Sequence, residues 1–196
     1  MLKEILKDYH IILASGSPRR HQFLKELGIP FIVDHKPVRE EYPEDLKSSE
    51  ITDYLAELKA KDFLKTLKDR DILITSDTIV WHNETALGKP ETTSEAFKML
   101  ESLSGKTHEV ITSVTFTTRK KQKTVNSTTS VTFKVLTTDE IDYYILNYHP
   151  LDKAGAYGIQ EWIGLIGITR VEGSYFNVVG LPTHLVYKTH LEIASS

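Results

Sequence analysis

The sequence predicts an α/β fold built on a mixed, curved β-sheet with helices packed against it. Three observations lead there. Short apolar runs such as His10 to Ala14 and Asp71 to Val80 read as buried strands. Other segments carry apolar residues at helical spacing. Finally, Val110 to Thr117 and Thr124 to Leu136 are rich in Thr and Val, which suits a pleated, half-buried surface. Strand and helix patterns mix without strict alternation, which favours a mixed sheet.

Each element follows in order. His10 to Ala14 is a strand and Ser15 to Pro18 a turn. A helix runs from about Arg19 to Leu27, closed by Gly28 and Pro30. Ser48 or Ser49 caps a long helix toward Lys68, with Ile51, Leu55, Leu58 and Phe63 near helical spacing. After the strand Asp71 to Val80, Thr92 and Glu95 form a capping box for a helix that stops at Gly105. The two Thr- and Val-rich runs form a hairpin whose tip is the charged run Arg119 to Lys123. Thr138 opens a helix that ends before Pro150. Ala156 to Gln160, Leu165 to Val171 and Tyr175 to Val179 read as further strands, and a last helix starts near Pro182.

Composition narrows the function. The 196 residues, 40% hydrophobic and 26% charged, suit one domain spanning residues 1–196, or two tightly joined lobes. Runs such as Ile11 to Ala14 are too short to span a bilayer, and the charged stretch Met1 to His10 is not a secretory signal. The chain has no cysteine, which excludes disulfides, thiolate zinc sites and cysteine nucleophiles and suits a cytoplasmic location. A net charge of −3 argues against a nucleic-acid polymer as partner. An anionic ligand must therefore meet a local cluster of Lys and Arg.

Four segments carry chemistry. Ser15-Gly16-Ser17-Pro18-Arg19-Arg20 lies between a strand and a helix. Its hydroxyls, guanidinium groups and exposed N–H groups suit phosphate, although a capped helix with a solvated basic turn would look the same. Thr75-Ser76-Asp77-Thr78 places a carboxylate in an apolar run, where burial demands a partner or a role. Asp77 fits a metal ligand, a general base, or a strand-end carboxylate bonded to backbone N–H groups. Leu87-Gly88-Lys89-Pro90 presents one ammonium on a fixed turn, which is also what a plain surface turn does. Asp152 to Gln160 combines small residues with Lys153 and the Gln160 amide, which can pair with a base edge. A Gly-rich strand entry is the structural alternative. The eight histidines show no metal-ligand spacing.

In order along the chain, these segments resemble the Maf family of nucleotide pyrophosphatases. Ile12 to Arg20 resembles its opening motif, and Thr75 to Val80, Leu87 to Pro90, Leu103 to Gly105, Asp152 to Gln160 and Gly173 through Pro182 follow in family order. The resemblance implies an elongated α/β fold related to inosine triphosphate pyrophosphatases, with two lobes around a cleft. It also implies hydrolysis of a nucleoside triphosphate to monophosphate and pyrophosphate with a divalent metal, Mg²⁺ or Mn²⁺. By position it makes Asp77 the proton acceptor, and Arg19, Thr78 and Gln160 the residues of base selection. Ser15, Ser17, Arg20, Lys59, Lys89 and Lys153 become further substrate-binding positions, with Glu40 beside Asp77 as a metal ligand.

Gln160 within Ala-Tyr-Gly-Ile-Gln resembles the dTTP/UTP branch, whereas the 7-methyl-GTP branch tends to carry Glu there. The 7-methyl-GTP activity and a nucleotide-binding regulator of septation without turnover are the alternatives. No membrane partner is expected, and a homodimer is left open. Two positions depart from the family: Glu161 follows Gln160 where Gly is usual, and Arg39 precedes Glu40 where an acidic residue is common.

Overall fold

The computed structural model describes residues 2–195; Met1 and Ser196, the ends of the expected single domain, lie outside them. A short helix α1 (Leu2–Ile5) leads into β1 (His10–Leu13). Helix α2 (Pro18–Glu26) then crosses to β2 (Phe31–Val33). Pro18 stands in the first turn of α2, where a missing N–H costs nothing. Such a crossover is what a parallel pair requires, and β1 pairs in parallel with both β2 and β3 (Asp71–His82). Helix α3 (Ser49–Ala60) and a 3₁₀ turn, Lys61–Phe63, precede β3. Asn83 and Glu84, at φ 49° and 56°, make a two-residue turn into β4 (Thr85–Leu87), which pairs antiparallel with β3.

Next come α4 (Thr93–Leu103), the long strands β5 (Thr107–Thr117) and β6 (Gln122–Phe133), and α5 (Thr138–Tyr148). The chain ends with α6 (Trp162–Gly167), β7 (Ile168–Glu172), α7 (Tyr175–Val179) and α8 (Thr183–Ala194). The sheet has seven strands in the order β2-β1-β3-β5-β6-β7, with β4 on β3. With parallel pairs at β1 and antiparallel pairs at β4 and β7, it is mixed, as the sequence predicts.

The chain divides into two compact units. The first holds Met1–Asp77, Thr112–Ser127 and Gly180–Ser196; the second holds Thr78–Ile111 and Thr128–Val179. In the first, Ile72 and Ile74 of β3 join a core with Leu13, Leu24, Val114, Phe116, Leu181 and Val186. Leu73 points the other way and packs with Ala14, Ala60, Phe63 and Leu67. The strand is therefore buried on both faces, which explains its continuous apolar run. In the second unit, Thr137 and Glu140 form a reciprocal capping box for α5, and Thr92 caps α4 by accepting from the Glu95 N–H at 3.1 Å. The Glu95 carboxylate accepts from the Glu91 N–H, one residue earlier than a reciprocal box requires.

Several sequence expectations are corrected. The α3 helix ends at Ala60 rather than near Lys68. Ala156 to Gln160 is not a strand: a 3₁₀ turn, Ala154–Ala156, leads to a turn in which the Glu161 N–H donates to the Gly158 carbonyl at 3.0 Å. Gly155 sits at φ +66°, and a Cβ there would fall 2.6 Å from a Val80 methyl, so the backbone lies against β3. Leu165 to Val171 begins inside α6, where Ile163 and Gly167 are buried one helical turn apart and Leu165 is exposed. Tyr175 to Val179 is α7. Each is a short apolar run, and periodicity cannot separate strand from helix over so few residues.

Candidate active site

In the first unit, the middle of β3 carries the chemistry. Thr75 and Asp77 share one face of the strand because side chains alternate. The Thr75 hydroxyl donates to the Ala56 carbonyl of α3 at 2.6 Å, docking the strand on that helix. Lys59 is the next residue but two along α3, and its Nζ lies 2.6 Å from Asp77 Oδ1. The same ammonium lies 2.8 Å from Glu40 Oε1, in the loop before α3. Asp77 and Lys59 are largely buried, while Glu40 is exposed on its outer side.

Burial raises the pKa of Asp77, and the Glu40 charge adds to that; the Lys59 ammonium and its hydrogen bond oppose it, as does Arg20. The result is a carboxylate more basic than usual, kept in reach of ionisation by one lysine. Arg39 pairs with Glu41 at 2.5 Å on the surface, so this unusual cation does not displace Glu40 from Lys59.

The turn after β1 lies in the same unit. Ser15 is buried and its Oγ accepts from the Ser17 N–H at 3.2 Å. Ser17 precedes α2 without capping it through its side chain, and the His21 ring donates to the Ser15 carbonyl at 2.6 Å. Arg20 Nε donates to the Gly180 carbonyl at 2.9 Å, and Nη1 to the Ser76 carbonyl at 2.8 Å. Burial lowers the Arg20 pKa while Asp77 holds it up. The guanidinium thus clamps the backbone directly before Asp77. Arg19 is half-buried in the first turn of α2.

In the second unit, the two remaining segments meet. The Gly155 N–H donates to the Gly88 carbonyl at 3.0 Å, tying the Lys89 turn to the Lys153 segment. Lys89 is exposed. Lys153 is buried, with Nζ 2.6 Å from Asp152 Oδ1 and 3.1 Å from Glu161 Oε1. Gln160 is exposed in the turn, and Thr78, half-buried on β3, follows Asp77 directly in the chain. Sequence reasoning did not single out Tyr144, whose hydroxyl donates to Glu161 Oε2. A buried tyrosine in an amphipathic helix gives no local signal that it will do so.

A family model described as "Maf-like protein" matches residues 10–192. The chain belongs to the Maf family. Among its Maf relatives, a protein of Christiangramia forsetii named "dTTP/UTP pyrophosphatase" is 60% identical over 196 residues, covering all of both chains. A Bacteroides fragilis protein with the same name is 48% identical over 184 residues, covering 93% of this chain and 95% of that one. Among solved structures, the Ham1 protein of Staphylococcus aureus superposes with a TM-score of 0.50 at 17% identity, covering 92% of this chain and 99% of that one. That likeness shows that the Maf chain shares the Ham1 fold.

The donor set suits a hard divalent cation. Glu40 and Asp77 converge closely enough to share one cation, and the Lys59 ammonium occupies that role between them. No group of three or more His, Asp or Glu residues that could hold a metal occurs among the described residues. Two carboxylates suffice for Mg²⁺ or Mn²⁺ where substrate phosphates complete the coordination.

Proposed function

We propose that this chain hydrolyses dTTP and UTP to the monophosphate and pyrophosphate. The observation that carries the reading is the buried Asp77 held by Lys59, inside a strand clamped by Arg20. The names of its 60% and 48% identical relatives support the substrate class.

Asp77 accepts a proton from a water as that water attacks the α-phosphorus. A bond forms from the water oxygen to phosphorus, the bond to the α–β bridging oxygen breaks, and pyrophosphate leaves with the electron pair. Raised basicity is what a general base needs at neutral pH. Lys59 keeps the carboxylate anionic and oriented. Glu40 and Asp77 would hold a divalent cation, which supplies Lewis-acid neutralisation of phosphate charge when bound.

A triphosphate carries roughly four negative charges, which a chain of net charge −3 must meet with local cations. Arg19, Arg20, Lys59, Lys89 and Lys153 are the residues the family resemblance assigns to that task, together with the Ser15 and Ser17 hydroxyls. Thr78 and the Gln160 amide read the base: one acceptor and two donors match the carbonyl and N3–H edge of thymine and uracil. The absence of cysteine agrees with a cytoplasmic nucleotide pool as the place of action.

Pyrophosphate release from a panel of dTTP, UTP, CTP, GTP and 7-methyl-GTP, with Mg²⁺ or Mn²⁺, tests the reading. Turnover favouring dTTP and UTP supports it. A preference for 7-methyl-GTP overturns the substrate, and tight binding without pyrophosphate overturns the reaction.

A further inference from the structure

The turn that carries Gln160 is built on a residue that the proposed chemistry leaves unused. Glu161 directly follows Gln160, and its carboxylate is mostly buried and engaged through both oxygens. Oε2 accepts from the Tyr144 hydroxyl, and Oε1 pairs with Lys153 Nζ at 3.1 Å. The Tyr144 hydroxyl in turn accepts from the Gly158 N–H at 3.0 Å. Gly158 opens the turn that Glu161 closes, since the Glu161 N–H donates to the Gly158 carbonyl. Both ends of the turn are therefore fastened to one tyrosine of α5.

The same carboxylate lies beside the Gln160 amide. A Cβ on Gly158 would fall 2.9 Å from Glu161 Cδ and 3.1 Å from Gln160 Nε2, so the two side chains crowd over one glycine. A side chain there would push on both groups.

We propose that Glu161 is a positioning residue for base selection, fixing the Gln160 turn through Tyr144 and holding the Lys153 ammonium through its second oxygen. The inference rests on the reading of Gln160 as the base-selecting amide. A hydrogen-bonded carboxylate in a partly buried site loses little mobility to water, so the amide it flanks keeps one orientation. A turn left unanchored samples several, and its amide then discriminates poorly between bases. The two oxygens have separable tasks. Oε2 serves the turn by accepting a hydrogen bond, which glutamine also does. Oε1 serves Lys153 by its charge, which glutamine lacks.

The test compares kcat and KM for dTTP, UTP and GTP in the wild type, Glu161→Ala, Glu161→Gln and Tyr144→Phe, with thermal melts of all four. Glu161→Ala and Tyr144→Phe are expected to reduce the dTTP-to-GTP ratio of kcat/KM about three- to tenfold, the span of one hydrogen bond. Glu161→Gln is expected to keep that ratio while lowering KM for every nucleotide by a similar factor, because Lys153 then faces one carboxylate fewer. A purely structural role would lower the melting temperature and leave the ratio alone. An unchanged ratio in folded Glu161→Ala or, should that variant not fold, in Tyr144→Phe overturns the proposal. A ratio lost equally in Glu161→Gln overturns the division of tasks between the oxygens. A wild type without pyrimidine preference overturns the underlying reading itself, and the wild-type arm shows that before any variant is compared.

Discussion

Lys59 Nζ lies 2.6 Å from Asp77 Oδ1, and that contact, with the Arg20 charge in support, favours the ionised form of a buried carboxylate. Burial raises the pKa of Asp77, because a desolvated charge is costly. The ammonium offsets part of that cost and is shared with Glu40. The pair is poised, with the base stronger than a surface carboxylate and still chargeable.

Asp77→Asn preserves the shape of the side chain and removes its basicity. Turnover is expected to fall on the order of a hundredfold or more, the scale of a general base. Lys59 keeps Glu40 as a partner, so the fold should survive. Circular dichroism and pyrophosphate release on the same sample check this, and near-normal turnover would remove Asp77 from the reaction.

Lys59→Met keeps the length of the side chain and deletes the charge. Burial then acts on Asp77 with less opposition, so its pKa rises further above the usual carboxylate range. Because the base must be ionised to work, the acid limb of the kcat/KM–pH profile should move to higher pH. A limb that stays in place, or moves down, would mean that Asp77 is not the group titrating.

Gln160→Glu replaces an amide that donates and accepts with a carboxylate that only accepts. A pyrimidine carbonyl would then face a negative charge, a mismatch of about 1–3 kcal/mol once the bound base excludes water from the exposed side chain. Activity on dTTP and UTP should drop far more than thermal stability does. Measuring kcat/KM across the five nucleotides for both proteins decides it, and an unchanged ranking would detach Gln160 from the base.

Stability should fall with acidification through a group outside the proposed chemistry. His108 is buried against Phe133 and Tyr157, with its Nε2 2.7 Å from the Tyr157 hydroxyl. Burial, aided by repulsion from His82, depresses its pKa from 6.5 to about 3. The unfolded chain therefore binds the extra proton first. The contribution of His108 is complete above pH 6.5 and is lost as pH falls toward 3, by about 1.4 kcal/mol per pH unit at most. His82, also depressed by burial, adds in the same direction, while Asp77, whose pKa is raised, opposes it. Denaturant midpoints at pH 7 and pH 5 for the wild type and His108→Gln isolate the histidine. Equal pH dependence in the two would refute it.

Local chemistry by itself determined a good part of this protein. The strand at Asp71 to Val80, the turn at Ser15 to Pro18, the cap at Thr92, the helix start at Thr138 and the Thr- and Val-rich strands of the hairpin all announce themselves over short stretches. Periodicity and capping act over that range. The out-of-place Asp77 was legible for the same reason, since a carboxylate inside an apolar run is a local anomaly. Near the C-terminus, Ala156 to Gln160 and Tyr175 to Val179 were misread as strands, and the strand expected from Leu165 starts only at Ile168, because over such short runs the choice between strand and helix belongs to the packing around them. Partnership was beyond the sequence altogether. Arg20 on the carbonyls of Ser76 and Gly180, Lys59 between Asp77 and Glu40, and Tyr144 on Glu161 join residues on different elements. Only the tertiary structure decides such pairs: a buried charge or hydroxyl must find a partner, and which partner arrives depends on how the elements pack.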